Sequence, residues 1–219
     1  MMSMNKKILI GLFLAVFIAL LYQYFNFQYS DLKTMNTVLA ISAMLLAVSL
    51  SEGYRESKDL YKNLLSEADW YFKNNNAMRA RQIFESLVKI KPRSYEALLG
   101  LGQCNRILRE VRTAEQIFKR AIKLEPERHE AYLFLGITQF NMKQTGEALM
   151  AFKKAKMLHP FDADVYYFMA KLYERLRDSE DAISHYKAYL ELNPNTRNGV
   201  EVTERIKRLE AGIATPAEV

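Results

Sequence analysis

Four stretches of thirteen residues, ARQIFESLVKIKP, AEQIFKRAIKLEP, ALMAFKKAKMLHP and AISHYKAYLELNP, recur along the chain. They open on Ala80, Ala114, Ala148 and Ala182 and close on Pro92, Pro126, Pro160 and Pro194, always 34 residues apart. A fixed period between about 20 and 50 residues signals stacked structural units. The apolar positions of each stretch fall mostly on one face of a helix, and a lone helix that short is marginal in water. The face must therefore pack on other copies of the pattern. Upstream of each copy runs a second helical pattern, YEALLGLGQCNRI at 95–107 and HEAYLFLGITQFN at 129–141 in the middle units. Each proline ends a helix, because it cannot donate into the turn and biases its predecessor away from the α region. Ser94, Asp162 and Thr196 stand where a side chain caps the next helix, whereas Arg128 in the same place has no acceptor for that role.

Together these residues resemble the tetratricopeptide repeat family over positions 61–196. With units counted from Tyr61, Tyr95, His129 and Ala163, the large residue at position 4 is Leu64, Leu98, Tyr132 and Tyr166. Position 7 is apolar in Leu101, Leu135 and Met169. The small position 8, where the two helices of a unit cross, is Ala68, Gly102, Gly136 and Ala170. Positions 20, 24 and 32 are the alanines, then Phe84, Phe118, Phe152 and Tyr186, then the prolines. The resemblance implies an all-α solenoid of four helix–turn–helix repeats, 61–94, 95–128, 129–162 and 163–196, with 54–60 as a linker. Some positions depart from the family. Glu67 takes an apolar place, Leu87 and Tyr189 replace a small residue, and the turn position often held by Gly is Asn75, Arg109, Lys143 and Arg177. After Pro194 only the stripe Val202, Ile206, Leu209 and Ile213 continues, which reads as a capping helix and tail over 197–219.

Two uncharged apolar stretches precede the repeats. The first, ILIGLFLAVFIALLY at 8–22, follows Lys6 and Lys7 and runs on into Tyr24, Phe25 and Phe27. Bulky aromatics stand where a signal peptide would offer a small-residue cleavage site, so a retained transmembrane helix over about 8–27 is expected. The second, MNTVLAISAMLLAVSLS at 35–51, is more polar and close to the minimum for crossing, and a second span over about 34–52 is expected. Gly11, Ala15 and Ala19 make one small-residue stripe and Ala40, Ala43 and Ala47 another, the pattern of a close helical hairpin. Residues 1–53 would then form a membrane anchor. Lys6, Lys7, Arg55, Lys58 and Lys62 flank the pair, which puts the repeats in the cytoplasm at a bacterial inner membrane. If the second stretch does not cross, the repeats lie on the other side.

Nothing in the sequence points to catalysis. The three histidines, His129, His159 and His185, have no metal-ligand spacing, and no phosphate loop or nucleophile elbow appears. Cys104 is the single cysteine, so no internal disulfide forms, and its repeat position reads as a small buried site. Beyond residue 53 the chain has 28 Lys/Arg against 23 Asp/Glu, interleaved rather than in runs, which reads as a mixed solvated surface and not a nucleic-acid footprint. Trp70 sits where the family prefers alanine, and its ring is expected to tuck against the incoming linker or the membrane-proximal helix, the other reading being a partner contact at the open edge of the first repeat.

The resemblance implies partner binding in a concave groove lined by the first helices. The groove candidates are Leu65, Asp69 and Phe72 in the first repeat, Leu99, Gln103 and Arg106 in the second, Leu133, Ile137 and Phe140 in the third, and Tyr167 and Lys171 in the fourth. The Lys/Asn carboxylate clamp of the family's chaperone-tail receptors is absent, since Leu65 and Asp69, or Leu133 and Ile137, occupy its positions. The expected function is a membrane-anchored scaffold without cofactor, metal or small-molecule substrate, binding protein partners among the subunits of a membrane complex. The layout of two spans before such repeats is similar to the anchored repeat subunit of Pel-type exopolysaccharide secretion. The alternative is a periplasmic or organelle-surface receptor or assembly factor held by one span.

Overall fold

The computed structural model describes residues 57–212 together with the helical pair Ala43–Met44. Among these residues the fold is all-α, and no helix is long and apolar enough to cross a membrane. Apart from Ala43–Met44, both expected spans lie outside the described residues. Of the six small residues in their stripes only Ala43 is described, and it is exposed. The chain divides into two compact units, Met1–Ser66 and Glu67–Val219.

Nine helices run through 57–212. Helix α1 covers 57–73, so residues 57–60, expected in the linker, are helical. There follow α2 (Ala77–Ile90), α3 (Tyr95–Ile107), α4 (Val111–Leu124), α5 (His129–Asn141), α6 (Thr145–Leu158), α7 (Ala163–Arg175), α8 (Ser179–Leu192) and α9 (Gly199–Glu210). The repeat pairs α3 with α4, α5 with α6 and α7 with α8, and stacks each pair on the next. The first helices α3, α5 and α7 also touch one another in turn, whereas the second helices do not, so within this unit the first helices line the inner curve and the second the outer.

The crossing within each pair depends on missing volume. A Cβ added to Gly102 would lie 2.5 Å from the Phe118 ring, and one added to Gly136 would lie 2.5 Å from the Phe152 ring. Ala68 and Ala170 hold the same position in the outer repeats and are fully buried, as are the alanines Ala80, Ala114, Ala148 and Ala182. Phe118 then stacks on Phe134 of the following repeat at 5.9 Å, and Phe152 on Phe168 at 6.2 Å.

The turn inside each repeat is the same four times. Asn75, Arg109, Lys143 and Arg177 all adopt the left-handed region, with φ of 59°, 66°, 62° and 60°. At the second repeat the Arg109 N–H donates to Arg106 O at 3.2 Å and the Glu110 N–H to Asn105 O at 2.9 Å. This pair of bonds closes the helix C-terminus and requires the left-handed residue between them. Hydrogen bonding thus outweighs the steric cost of a side chain at positive φ.

Between repeats, Ser94 and Asp162 cap their helices as expected, accepting from Ala97 N at 3.3 Å and Asp164 N at 2.9 Å. Thr196 does not. Helix α9 starts three residues later, and the Thr196 hydroxyl meets the Tyr189 hydroxyl at 2.6 Å instead. At α5, where Arg128 offers no cap, the preceding repeat supplies one. The buried Tyr95 hydroxyl accepts from Ala131 N at 3.2 Å and donates to Glu130 at 3.4 Å. Arg128 lies 4.1 Å over the Tyr95 ring and pairs with Glu130 at 2.8 Å. One repeat further on, His129 reaches Asp162 at 3.0 Å and stacks on His159 at 4.5 Å. Helix α9 closes the array by covering Tyr186 and Tyr189 with Val202 and Ile206. Arg205 approaches Glu174 at 3.4 Å, and Glu174 also accepts from Tyr186 at 2.7 Å.

Three consequences are measurable by thermal or urea unfolding. Arg109→Gly and Lys143→Gly should each stabilise by about 0.5–1 kcal/mol, the relief of left-handed strain exceeding glycine's added chain entropy. Tyr95→Phe should cost about 1–2 kcal/mol with helix content unchanged, since it orphans the Ala131 N–H. His185 donates from Nδ1 to Asp181 O at 2.8 Å, leaves Nε2 buried without a hydrogen-bond partner among the described residues, and is held by that burial below the usual histidine pKa. Its contribution is therefore complete above about pH 6.5 and is lost as pH falls from there through the lower folded value. Stability of the wild type should drop between pH 7 and 5 more steeply than that of His185→Leu, and parallel curves would contradict this assignment.

Candidate functional site

From Leu99 onward, the residues that the sequence assigns to partner binding lie on the inner-curve helices α3, α5 and α7, and they do not form one open surface. Leu133, Ile137 and Phe140 are only 4%, 5% and 6% exposed. They interlock with Val165, Met169 and Leu172 of α7, so these three positions hold the third repeat to the fourth. Arg175 covers the Phe140 ring at 3.5 Å and donates to Phe140 O at 2.6 Å. Helix α5 is apolar on nearly its whole circumference, which is the reason it becomes the centre of the array.

The remaining candidates divide among separate places. Leu65 and Phe72 are half-buried on α1, and Asp69 is exposed there. Tyr167 packs into the cluster under the capping helix, with Lys171 5.6 Å over its ring. Leu99, Gln103 and Arg106 sit half-buried on α3, at positions equivalent to Leu133, Ile137 and Phe140. Two of the three are polar, so this junction interlocks less completely than the next.

Arg106 stands apart electrostatically. Burial lowers its pKa from the ordinary arginine value, its Nε is buried without a hydrogen-bond partner, and no carboxylate pairs with it among the described residues. Its guanidinium lies 5.9 Å from the Phe134 ring centroid. A half-buried cation without a counter-charge is costly, and it gains most from an anionic group brought by a partner. The charge of Arg106 is legible in the sequence, but its want of a partner is not.

Other residues singled out by the sequence have structural places. Cys104 is fully buried, which pushes its thiol up to about 12 and away from thiolate chemistry. Trp70 is 60% exposed and meets Tyr71 edge-on at 5.0 Å, so its ring is not tucked away as expected. Among the described residues no three His, Cys, Asp or Glu side chains gather as metal ligands would.

Comparison with known proteins agrees with this architecture. A family model described as the TT21 fifth ARM repeats domain matches residues 62–173, just over half of the chain. A tetratricopeptide repeat model matches 163–196. No curated protein matches in sequence. Among solved structures, a crystal structure of MamA aligns with a TM-score of 0.58 at 23% identity, over 66% of this chain and 83% of that one. PilF of Pseudomonas aeruginosa gives 0.64 at 16%, over 71% and 69%. The APC/C hetero-tetramer Cut9–Hcn1 gives 0.63 at 20%, over 81% and 40%. At such identities the likeness is one of fold. The two helices per unit and the 34-residue period fit the tetratricopeptide description. The chain belongs to the α-helical repeat family of the TT21 fifth ARM repeats domain, and its units are tetratricopeptide repeats.

Proposed function

We propose that this solenoid, whose fold suits protein–protein interaction and scaffolding, is held at a bacterial inner membrane by residues 1–53 and assembles subunits of a membrane complex there. The apolar stretches and their flanking lysines support the anchor, and tethering would raise the effective concentration of the partner beside its neighbours. The partner segment lies on the inner curve at the second repeat, against Leu99, Gln103 and Arg106, and presents a carboxylate to Arg106. The observation that carries this is the Arg106 guanidinium, half-buried and without a counter-charge among the described residues. Export of an exopolysaccharide is one process such a complex would serve, on the likeness of layout alone.

Affinity capture of the full chain in mild detergent, with mass spectrometry of the bound proteins, tests the partner site. Leu99→Glu with Arg106→Glu should lower capture at least tenfold without loss of helix content, and unchanged capture would overturn the site. Leu133 is unsuited to the test because a charge there would break the core. A reporter fused after Val219 tests the topology: green fluorescent protein should fluoresce and alkaline phosphatase stay silent, with the reverse pattern placing the repeats outside the cytoplasm.

A further inference from the structure

Charge is sorted between the two curves of the solenoid. Helices α2, α4 and α6 carry ten lysines and arginines against three glutamates, whereas α3, α5 and α7 carry three against four acids. Overall composition hides this, because the outer excess is diluted by the acidic residues of α8 and of the first helices. Only two of the ten have carboxylate partners among the described residues: Arg81 with Glu110 at 2.6 Å and Lys119 with Glu115 at 2.7 Å. Arg120, Lys123, Lys153 and Lys154 have none among the described residues. Arg120 and Lys154 hold the same position one repeat apart, so the excess is centred on α4 and α6.

Large apolar side chains protrude within this basic field. Met150 is 67% and Met157 64% exposed, and Phe161, just beyond α6, is 76% exposed. Met150, Lys153, Lys154 and Met157 follow the i, i+3, i+4, i+7 spacing and share one helix face. Apolar tips flanking lysines suit a headgroup layer, where the ammonium groups meet lipid phosphates and the tips reach the acyl boundary. A nucleic acid would meet the lysines but would leave the methionines facing phosphate.

We propose that the outer face of α4 and α6 rests on an anionic lipid surface. This rests on the anchored reading, in which the second apolar stretch, ending at Ser51, stands nine residues of sequence ahead of the first repeat at Tyr61 and tethers the repeats to a bilayer. The inner curve is then left free for a partner.

The test places an environment-sensitive fluorophore on the full-length Met157→Cys variant, where buried Cys104 stays unlabelled, and reconstitutes it in nanodiscs carrying nitroxide-tagged lipid. Discs rich in phosphatidylglycerol should quench and blue-shift the probe, and purely zwitterionic discs should not. Salt at about 0.5 M, which shortens the screening length to roughly 4 Å, should reverse the effect. Arg120→Glu, Lys123→Glu, Lys153→Glu and Lys154→Glu together should lower quenching at least tenfold. Arg120, Lys123 and Lys153 are exposed and Lys154 is half-buried, and an unchanged melting curve checks the fold. An unquenched probe in anionic discs, or equal quenching in zwitterionic ones, overturns the proposal. So does shielding of the probe only by an added acidic polypeptide or duplex DNA, which would give the face to that partner. Should the chain stay out of the discs, the anchor falls, and co-sedimentation of the whole chain with phosphatidylglycerol vesicles decides the face by itself.

Discussion

The array depends on one contact made repeatedly: an aromatic ring at position 24 lying on a backbone with little side-chain volume at position 8, glycine in the middle repeats and alanine in the outer ones. Phe118 over Gly102 and Phe152 over Gly136 bring paired helices closer than any larger residue permits. The same rings stack forward on Phe134 and Phe168, so each one couples helices within its repeat and to the next repeat. At the second repeat the forward partner is Gly100, on whose backbone Phe84 lies directly. Stability in such a lattice is a sum of repeat and neighbour terms, and no pair of helices this short would persist alone.

Ends are the weakness of any such lattice, and the chain treats each kind of end differently. Helix N-termini between repeats receive local caps at Ser94 and Asp162. Where Arg128 withholds a cap, Tyr95 lends one across the repeat boundary, which converts a local deficiency into an inter-repeat bond. The terminal face is covered by α9, whose Arg205 approaches the otherwise buried Glu174. The first residue of a repeat thus tends to reach the next: Tyr95 bonds both Ala131 and Glu130, and His129 lies beside the carboxylate of the capping Asp162.

Much of this was legible because periodicity constrains packing directly. The alanines, the rings, the prolines and the capping stripe are one-dimensional marks of three-dimensional neighbours. Side chains that answer to a partner in another repeat were less legible. Tyr95 reads as one more apolar residue until its hydroxyl is seen beside Ala131. Lys143 reads as a poor turn residue until the two hydrogen bonds that hold it at positive φ are counted. The inner-curve assignments were the least transferable. Position alone does not say whether a residue is covered, because that depends on what the neighbouring repeat offers: Phe140 is covered by Arg175, while Arg106 at the equivalent position meets no acid among the described residues.

Functional division follows from which helix has spare surface. First helices spend their side chains on neighbours, and α5 spends nearly all of them, so the inner curve keeps accessible chemistry only where its interlock is incomplete. Second helices contact no successor of their own kind, and each therefore leaves a whole face unused by the fold. A face with no packing duty is free to accumulate charge, and α2, α4 and α6 accumulate one sign of it while α8 does not. Self-repulsion along such a face is a standing cost that a mixed surface would avoid. Its concentration on three of the four outer helices, with Met150 and Met157 flanking the lysines of α6, is what a surface shaped by an external anionic layer would retain.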